Sequence, residues 1–165
     1  PMVRITIYME KGIMHRELLC LSRMQQFISR TDNNGGGMMS KFDKTGANEL
    51  RELLYDSYVH DAELKNIECE WGKDRIKMEL VNSIFNQKIE LTFINVGLVF
   101  ATKGKAYGNR ETVISLTVEE DYSYLQNYVP NCSEGLDDSL YLLFQMLSGD
   151  ELHIVSKEVI AEVTR

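Results

Sequence analysis

Long apolar runs are missing from this 165-residue chain. Nowhere do about 18 residues pass without a charge, which argues against a membrane-crossing helix. The N-terminus lacks the basic, apolar and small-residue layout of a secretory signal, so the expected location is the cytoplasm. Cysteine is scarce. Cys20, Cys69 and Cys132 are odd in number, widely spaced and without a CxxC pair, which favours free thiols over a disulfide or zinc site. The strict nucleotide-binding and catalytic motifs are missing too: GxxxxGKS or GxxxxGKT, GxSxG, HExxH, an EF-hand loop, and GxGxxG after a strand. Neither a metal nor a cofactor is therefore expected.

Basic residues are missing from one long interval. Between Arg110 and Lys157 the chain has no Lys or Arg, yet it carries Glu111, Glu119, Glu120, Asp121, Glu134, Asp137, Asp138, Asp150 and Glu151. Binding to phosphates needs Lys and Arg to release counterions, so this half should be repelled by nucleic acid and by anionic membranes. A basic protein partner would be attracted. The net charge of -7 hides this asymmetry, because residues 1–37 carry five Lys/Arg against three Asp/Glu.

What is present points to a folded domain. Hydrophobic residues at 44% and charged residues at 26% are near globular averages, and the length suits one domain without staples. Val3 to Tyr8 alternates like a half-buried strand, and apolar residues at helical spacing over about 14–29 predict an amphipathic helix. Asp32 to Gly37 has linker composition. Met38 and Met39 follow three glycines and could themselves be the natural start, so 1–37 is treated as an extension to a domain over 38–165. Asp43 or Thr45 can cap a second helix carrying Leu50, Leu53 and Leu54, ending near Asp56.

From Ala62 the period switches to two. Trp71-Gly72-Lys73-Asp74 suits a two-residue type II′ turn, pairing Cys69 with Ile76 and Glu68 with Lys77. A second hairpin near Ser83-Ile84 would set Lys88 opposite Glu79 and Ile89 opposite Met78, which assigns the same face of the middle strand to the core. Strands over about 96–102 and 112–118 follow, then a short helix or turn over Tyr122 to Tyr128, and a final hairpin around Ser148-Gly149-Asp150. The expected fold is α+β: an antiparallel meander, half-barrel or sandwich-like sheet of about six or seven strands with two N-terminal helices.

Two sets of residues could carry chemistry. Glu119, Glu120 and Asp121, with Asp137 and Asp138, read as solvated surface, as hard-cation ligands of no recognised spacing, or as an electrostatic docking face. In the last case Tyr122, Tyr124, Tyr128 and Tyr141 would supply aromatic anchors. The other set is His60, Asp61 and His153. Adjacent residues of an extended strand point to opposite faces, so His60 and Asp61 form a dyad only across a turn. His153 sits in an alternating strand and is expected at a surface or boundary, and Trp71 is expected to be buried over the sheet end.

The segments Val59-His60-Asp61-Ala62, Leu91-Thr92-Phe93-Ile94-Asn95-Val96 and Ser148-Gly149-Asp150-Glu151-Leu152-His153-Ile154 together carry a resemblance. The chain resembles small, mostly uncharacterised bacterial proteins with HDA, LxFxNV and SGDExxI patterns, some of them similar to immunity proteins of polymorphic toxin systems. The resemblance spans about residues 59–163 and implies no catalytic residues. With the acidic tract, the leading expectation is a non-enzymatic binding protein, an immunity-type inhibitor whose acidic 111–151 surface neutralises a basic toxin domain. The alternatives are a small enzyme or ligand-binding protein with a pocket near His60, Asp61 or His153, and a structural subunit that pairs with itself through a sheet edge.

Overall fold

The computed structural model describes residues 38–104, 112–119, 121–130 and 135–165. The strand expected over 3–8, the helix over 14–29 and the linker over 32–37 lie outside the described residues, as do Glu120, Cys20 and Cys132. One of the two expected N-terminal helices is therefore seen.

In chain order the elements are β1 (Met38–Phe42), α1 (Ala47–Asp56), β2 (Glu63–Glu70), β3 (Arg75–Asn82), β4 (Gln87–Thr102), β5 (Val113–Glu119), the single-turn helix α2 (Ser123–Gln126), β6 (Leu140–Met146) and β7 (Glu151–Thr164). The seven strands make one open antiparallel sheet in the order β2-β3-β4-β7-β6-β5, with β1 pairing β7. Two three-stranded meanders, β2-β3-β4 and β5-β6-β7, are thus joined by the long β4–β7 ladder, which runs from Lys88↔Thr164 to Thr102↔Glu151. Among the described residues no helix is long and apolar enough to cross a membrane.

The expected strand over 96–102 is the second half of β4, not a separate element. Val96 pairs with Ser156 and Leu98 with Val155, so Gly97 is one extra residue and β4 bulges there. A side chain at Gly97 would meet the Leu136 methyl at 2.6 Å, so Leu136 would have to shift to admit one. β1 was not expected at all; it forms because Met39 to Phe42 pair with Glu162 to Val159 of β7 at the far end of the chain.

The hairpins repay a register comparison. Cys69↔Ile76, Ile67↔Met78 and Glu68↔Lys77 pair as expected. The turn differs: Trp71–Lys73 make a 3-10 turn and Asp74, not Gly72, takes the left-handed conformation at φ 47°. Trp71 consequently sits on a four-residue loop and is half exposed, not buried. In the second hairpin Met78 faces Leu91 and Glu79 faces Glu90, two residues from the expected register. The core face is unchanged, since a shift of two preserves side-chain direction. Lys88 still reaches Glu79 at 3.1 Å and also Glu90 at 3.2 Å.

Two cores result. The larger joins Ile76, Met78, Leu80, Ile89, Leu91 and Phe93 of the first meander with Leu142, Phe144 and Ile154 of the second, and α1 inserts Leu50 and Leu54 into it. The smaller lies on the opposite face of β6 and β7, where α2 and the segment through Leu136 cover Phe100, Tyr141, Leu143 and Val155. β6 is therefore covered on both faces, which explains the apolar run from Leu140 to Phe144.

Candidate functional site

The acidic interval folds into α2, its approaches and the start of β7, and its members take different surroundings. Asp121 accepts from the Ser123 backbone N–H at 2.8 Å and from its hydroxyl, and these bonds, aided by nearby Lys44, hold its carboxyl below the usual range. Glu119 is half-buried and accepts from Thr117 Oγ1 at 2.5 Å. Asp137 and Asp138 are exposed. An open cleft of ≈ 360 Å³ lies beside Glu119 and Asp121, lined by these two with Arg51, Thr117 and Val118, and Arg51 donates to the Val118 carbonyl at 2.7 Å.

The tyrosines divide likewise. Tyr122 is buried; its hydroxyl donates to the carbonyls of Leu136 (2.6 Å) and Ser139 (2.9 Å), and the Lys44 ammonium sits 5.4 Å from its ring centre. It clamps α2 to the 136–139 segment. Tyr124 is on the surface and donates to Glu151 at 2.8 Å. Burial, then the hydrogen bonds with Tyr128 and Glu151, push the Tyr124 phenol well above its ordinary range.

Beneath Tyr124 lies His153. Its ring is fully buried, which corrects the surface or boundary expectation: alternation in β7 gives no solvent face where both faces are covered. Tyr124, Tyr128, Tyr141 and Phe100 surround it at centroid distances of 5.4–5.9 Å. Nδ1 is 2.7 Å from the Tyr141 hydroxyl, while Nε2 faces Glu151 Oε2 at 3.5 Å, long for a hydrogen bond. A carboxylate at that side selects the tautomer with its proton on Nε2, leaving Nδ1 to accept from Tyr141. Burial raises the Glu151 pKa, but the facing His153 N–H with bonds from Gln145 (3.1 Å) and Tyr124 outweighs it, so the carboxyl lies below its ordinary value. The result is a row of Tyr141, His153, Glu151 and Tyr124 with hydrogen bonds at its two ends and a looser His153–Glu151 contact in the middle.

His60 and Asp61 occupy another corner. The structure supplies the turn a dyad would need, with Asp61 left-handed at φ 70°, but His60 Nε2 and Asp61 Oδ2 are 3.9 Å apart and both side chains are exposed, too far for proton transfer. His60 is ringed by Tyr55 and Tyr58 and shares no ring neighbour with His153. The cleft beside Glu119 and a second of ≈ 310 Å³ on the polar face of β2-β3-β4-β7 contain no histidine. Among the described residues no group of three or more His, Cys, Asp or Glu is placed to hold a metal.

Sequence reasoning overlooked the neighbourhood of this corner. The end of α1 is a Schellman arrangement, in which Tyr58 N–H reaches the Tyr55 carbonyl (3.1 Å) and Val59 N–H the Leu54 carbonyl (3.4 Å). The residue this requires in the left-handed region is customarily glycine; here it is Tyr58, at φ 51°. Such a conformation costs about 1–2 kcal/mol in a non-glycine residue. Buried Asn82 fixes it, donating to the Tyr58 carbonyl at 2.8 Å while its Oδ1 accepts from the N–H groups of Ile84 (3.0 Å) and Phe85 (3.3 Å). The Tyr58 and Phe85 rings then stack at 4.0 Å. Gly-less turns with bulky residues in exposed positions were the available signal.

The chain matches no protein-family model and no curated protein sequence.

Proposed function

We propose that the chain is a non-enzymatic bacterial binding protein, acting in the cytoplasm as an immunity-type inhibitor of a basic partner domain through the acidic surface around α2. The supporting observation is the exposure of Asp121, Tyr124, Asp137 and Asp138 in an interval without Lys or Arg, the last two lying between the Leu136 and Ser139 carbonyls that Tyr122 binds. Lys44 tempers this field from one side, and Tyr122, whose ring is internal, acts by holding α2 in place. Like-signed charges on a rim raise association rate through steering, while a surface tyrosine with its hydroxyl already anchored provides rigid contact area.

The test is affinity purification from the source bacterium followed by titration of the recovered partner against Asp121→Lys, Asp137→Lys and Asp138→Lys combined. The expected outcome is at least a tenfold loss of affinity, with the wild-type interaction weakening steeply between 50 and 300 mM salt, on the order expected of screened surface charges. Recovery of no protein partner, or an affinity indifferent to all three reversals, would remove the proposal.

A further inference from the structure

The corner formed by the end of α1 and the β3–β4 loop presents Tyr55 (64% exposed), Ile84 (73%) and Phe85 (45%) together. They are linked through half-buried Tyr58, stacked on Phe85, and through His60, 5.9 Å from Tyr58 and 6.3 Å from Tyr55 between ring centres. Single exposed apolar residues need no explanation, but a contiguous set of this kind does. Among the described residues five non-glycine positions have positive φ, and three of them, Tyr58, Asp61 and Asn86, frame it. The left-handed turn leaves the Tyr58 residue only half-buried, its ring stacked on partly exposed Phe85. Asn82 ties both loops to one side chain, so the patch is held rigid before anything binds.

Its charge says what would fit. Glu52, Tyr55 and Asp56 share one face of α1 by their i, i+3 and i+4 spacing, all three exposed, and Asp61 is exposed beside His60. From Arg51 to Lys65 the chain has no intervening Lys or Arg, and the loop Ser83 to Asn86 has none either. Aromatic faces rimmed by carboxylates suit a guanidinium group, which stacks on rings and donates two parallel hydrogen bonds to a carboxylate at once.

We infer that this corner is a second protein-docking site, which takes an arginine-bearing segment of a partner across Tyr55, Tyr58, His60 and Phe85, with Asp56 and Asp61 meeting the guanidinium. The inference rests on the reading of the chain as a binding protein for a basic partner but assigns a different surface from the one around α2.

The experiment is an NMR titration of the full chain with an amidated peptide of alternating arginine and glycine, with a glutamate-for-arginine peptide as control. Amide shifts concentrated at 52–61 and 83–86 are expected from the arginine peptide alone. Tyr58→Gly should weaken binding about tenfold while leaving the melting temperature unchanged or higher, because glycine relieves the left-handed strain. Asp61→Asn, which also tolerates that conformation, should weaken binding and flatten its salt dependence. Shifts confined to 121–124 and 137–138 would overturn this site and leave the α2 surface standing. Equal binding by Tyr58→Gly and Phe85→Ala variants, or no localised shifts, would also overturn it. So would a wild-type dimer in sedimentation velocity that Ile84→Asp dissociates, since the occupant would then be a second copy. The fate of the α2 reading is decided separately, by its own charge reversals.

Discussion

Tyr141→Phe removes one hydroxyl from a fully buried contact and leaves His153 Nδ1 without that donor. An unsatisfied buried acceptor costs about 1–3 kcal/mol, so the variant should show a lower urea midpoint with an unchanged slope. Glu151 links the same cluster to pH. Its folded pKa lies below its unfolded value, so its contribution is complete above the ordinary glutamate range near 4.5 and is lost as pH falls through the folded pKa. Urea titrations at pH 7 and pH 3 should therefore converge more closely for Glu151→Gln than for wild type. Two glycines provide a paired test of crowding. A Cβ at Gly104 would fall 2.5–2.8 Å from the backbone of Gly149 and Ser148, whereas one at Gly72 meets nothing within 4 Å. Gly104→Ala should cost about 1–3 kcal/mol and Gly72→Ala less than about 0.5 kcal/mol by the same measurement.

Elements inherit their fidelity from how local their causes are. The helix over Ala47–Asp56 was legible because Asp43 caps the preceding turn, accepting from the N–H groups of Thr45 and Gly46, and because Leu50 and Leu54 recur at helical spacing. Both leucines are buried between the sheet halves, and Leu50→Ala should destabilise by about 2–5 kcal/mol in urea denaturation. The first hairpin was legible in register, since acid meets base and apolar meets apolar only one way. Its turn was not, because a type II′ turn and a four-residue loop with left-handed Asp74 support the same pairing. In the second hairpin the period-2 pattern fixed the face but could not distinguish registers two residues apart. The final hairpin follows its turn chemistry: Gly149, at φ 79°, donates to the Met146 carbonyl at 2.8 Å.

At the scale of the molecule, β7 is the shared axis. It pairs β4 along one edge, and β6 then β1 along the other. Amide exchange should accordingly be slowest in β7 and in residues 88–94 of β4, which pair with both β3 and β7, and faster in β2 and β5, whose outer edges meet among the described residues at the Glu63↔Thr112 bridge and the adjoining Val113 backbone bonds to Asp61 and Ala62. Slow edge exchange rivalling β7 would show that the sheet closes in solution. The same architecture bears on the acidic interval. Its composition was plain, but the fold gives Asp150 to the Gly104 N–H at 2.7 Å, Glu151 to the His153 cluster and Asp121 to the α2 turn, leaving Asp137 and Asp138, among the described residues, as its least committed charges.

The sequence by itself determined the type of each element between residues 43 and 164, the core face of β3, and the depletion of basic residues over 111–156, because these depend on neighbours within a few positions. Tertiary structure decided that β4 pairs with β7, that β1 exists, that His153 is enclosed and that Tyr55, Tyr58, His60 and Phe85 meet at one corner. Each of these joins segments far apart along the chain, and no local periodicity records which apolar face covers which. Only the packing of one meander against the other selects among the partners that alternation leaves equivalent.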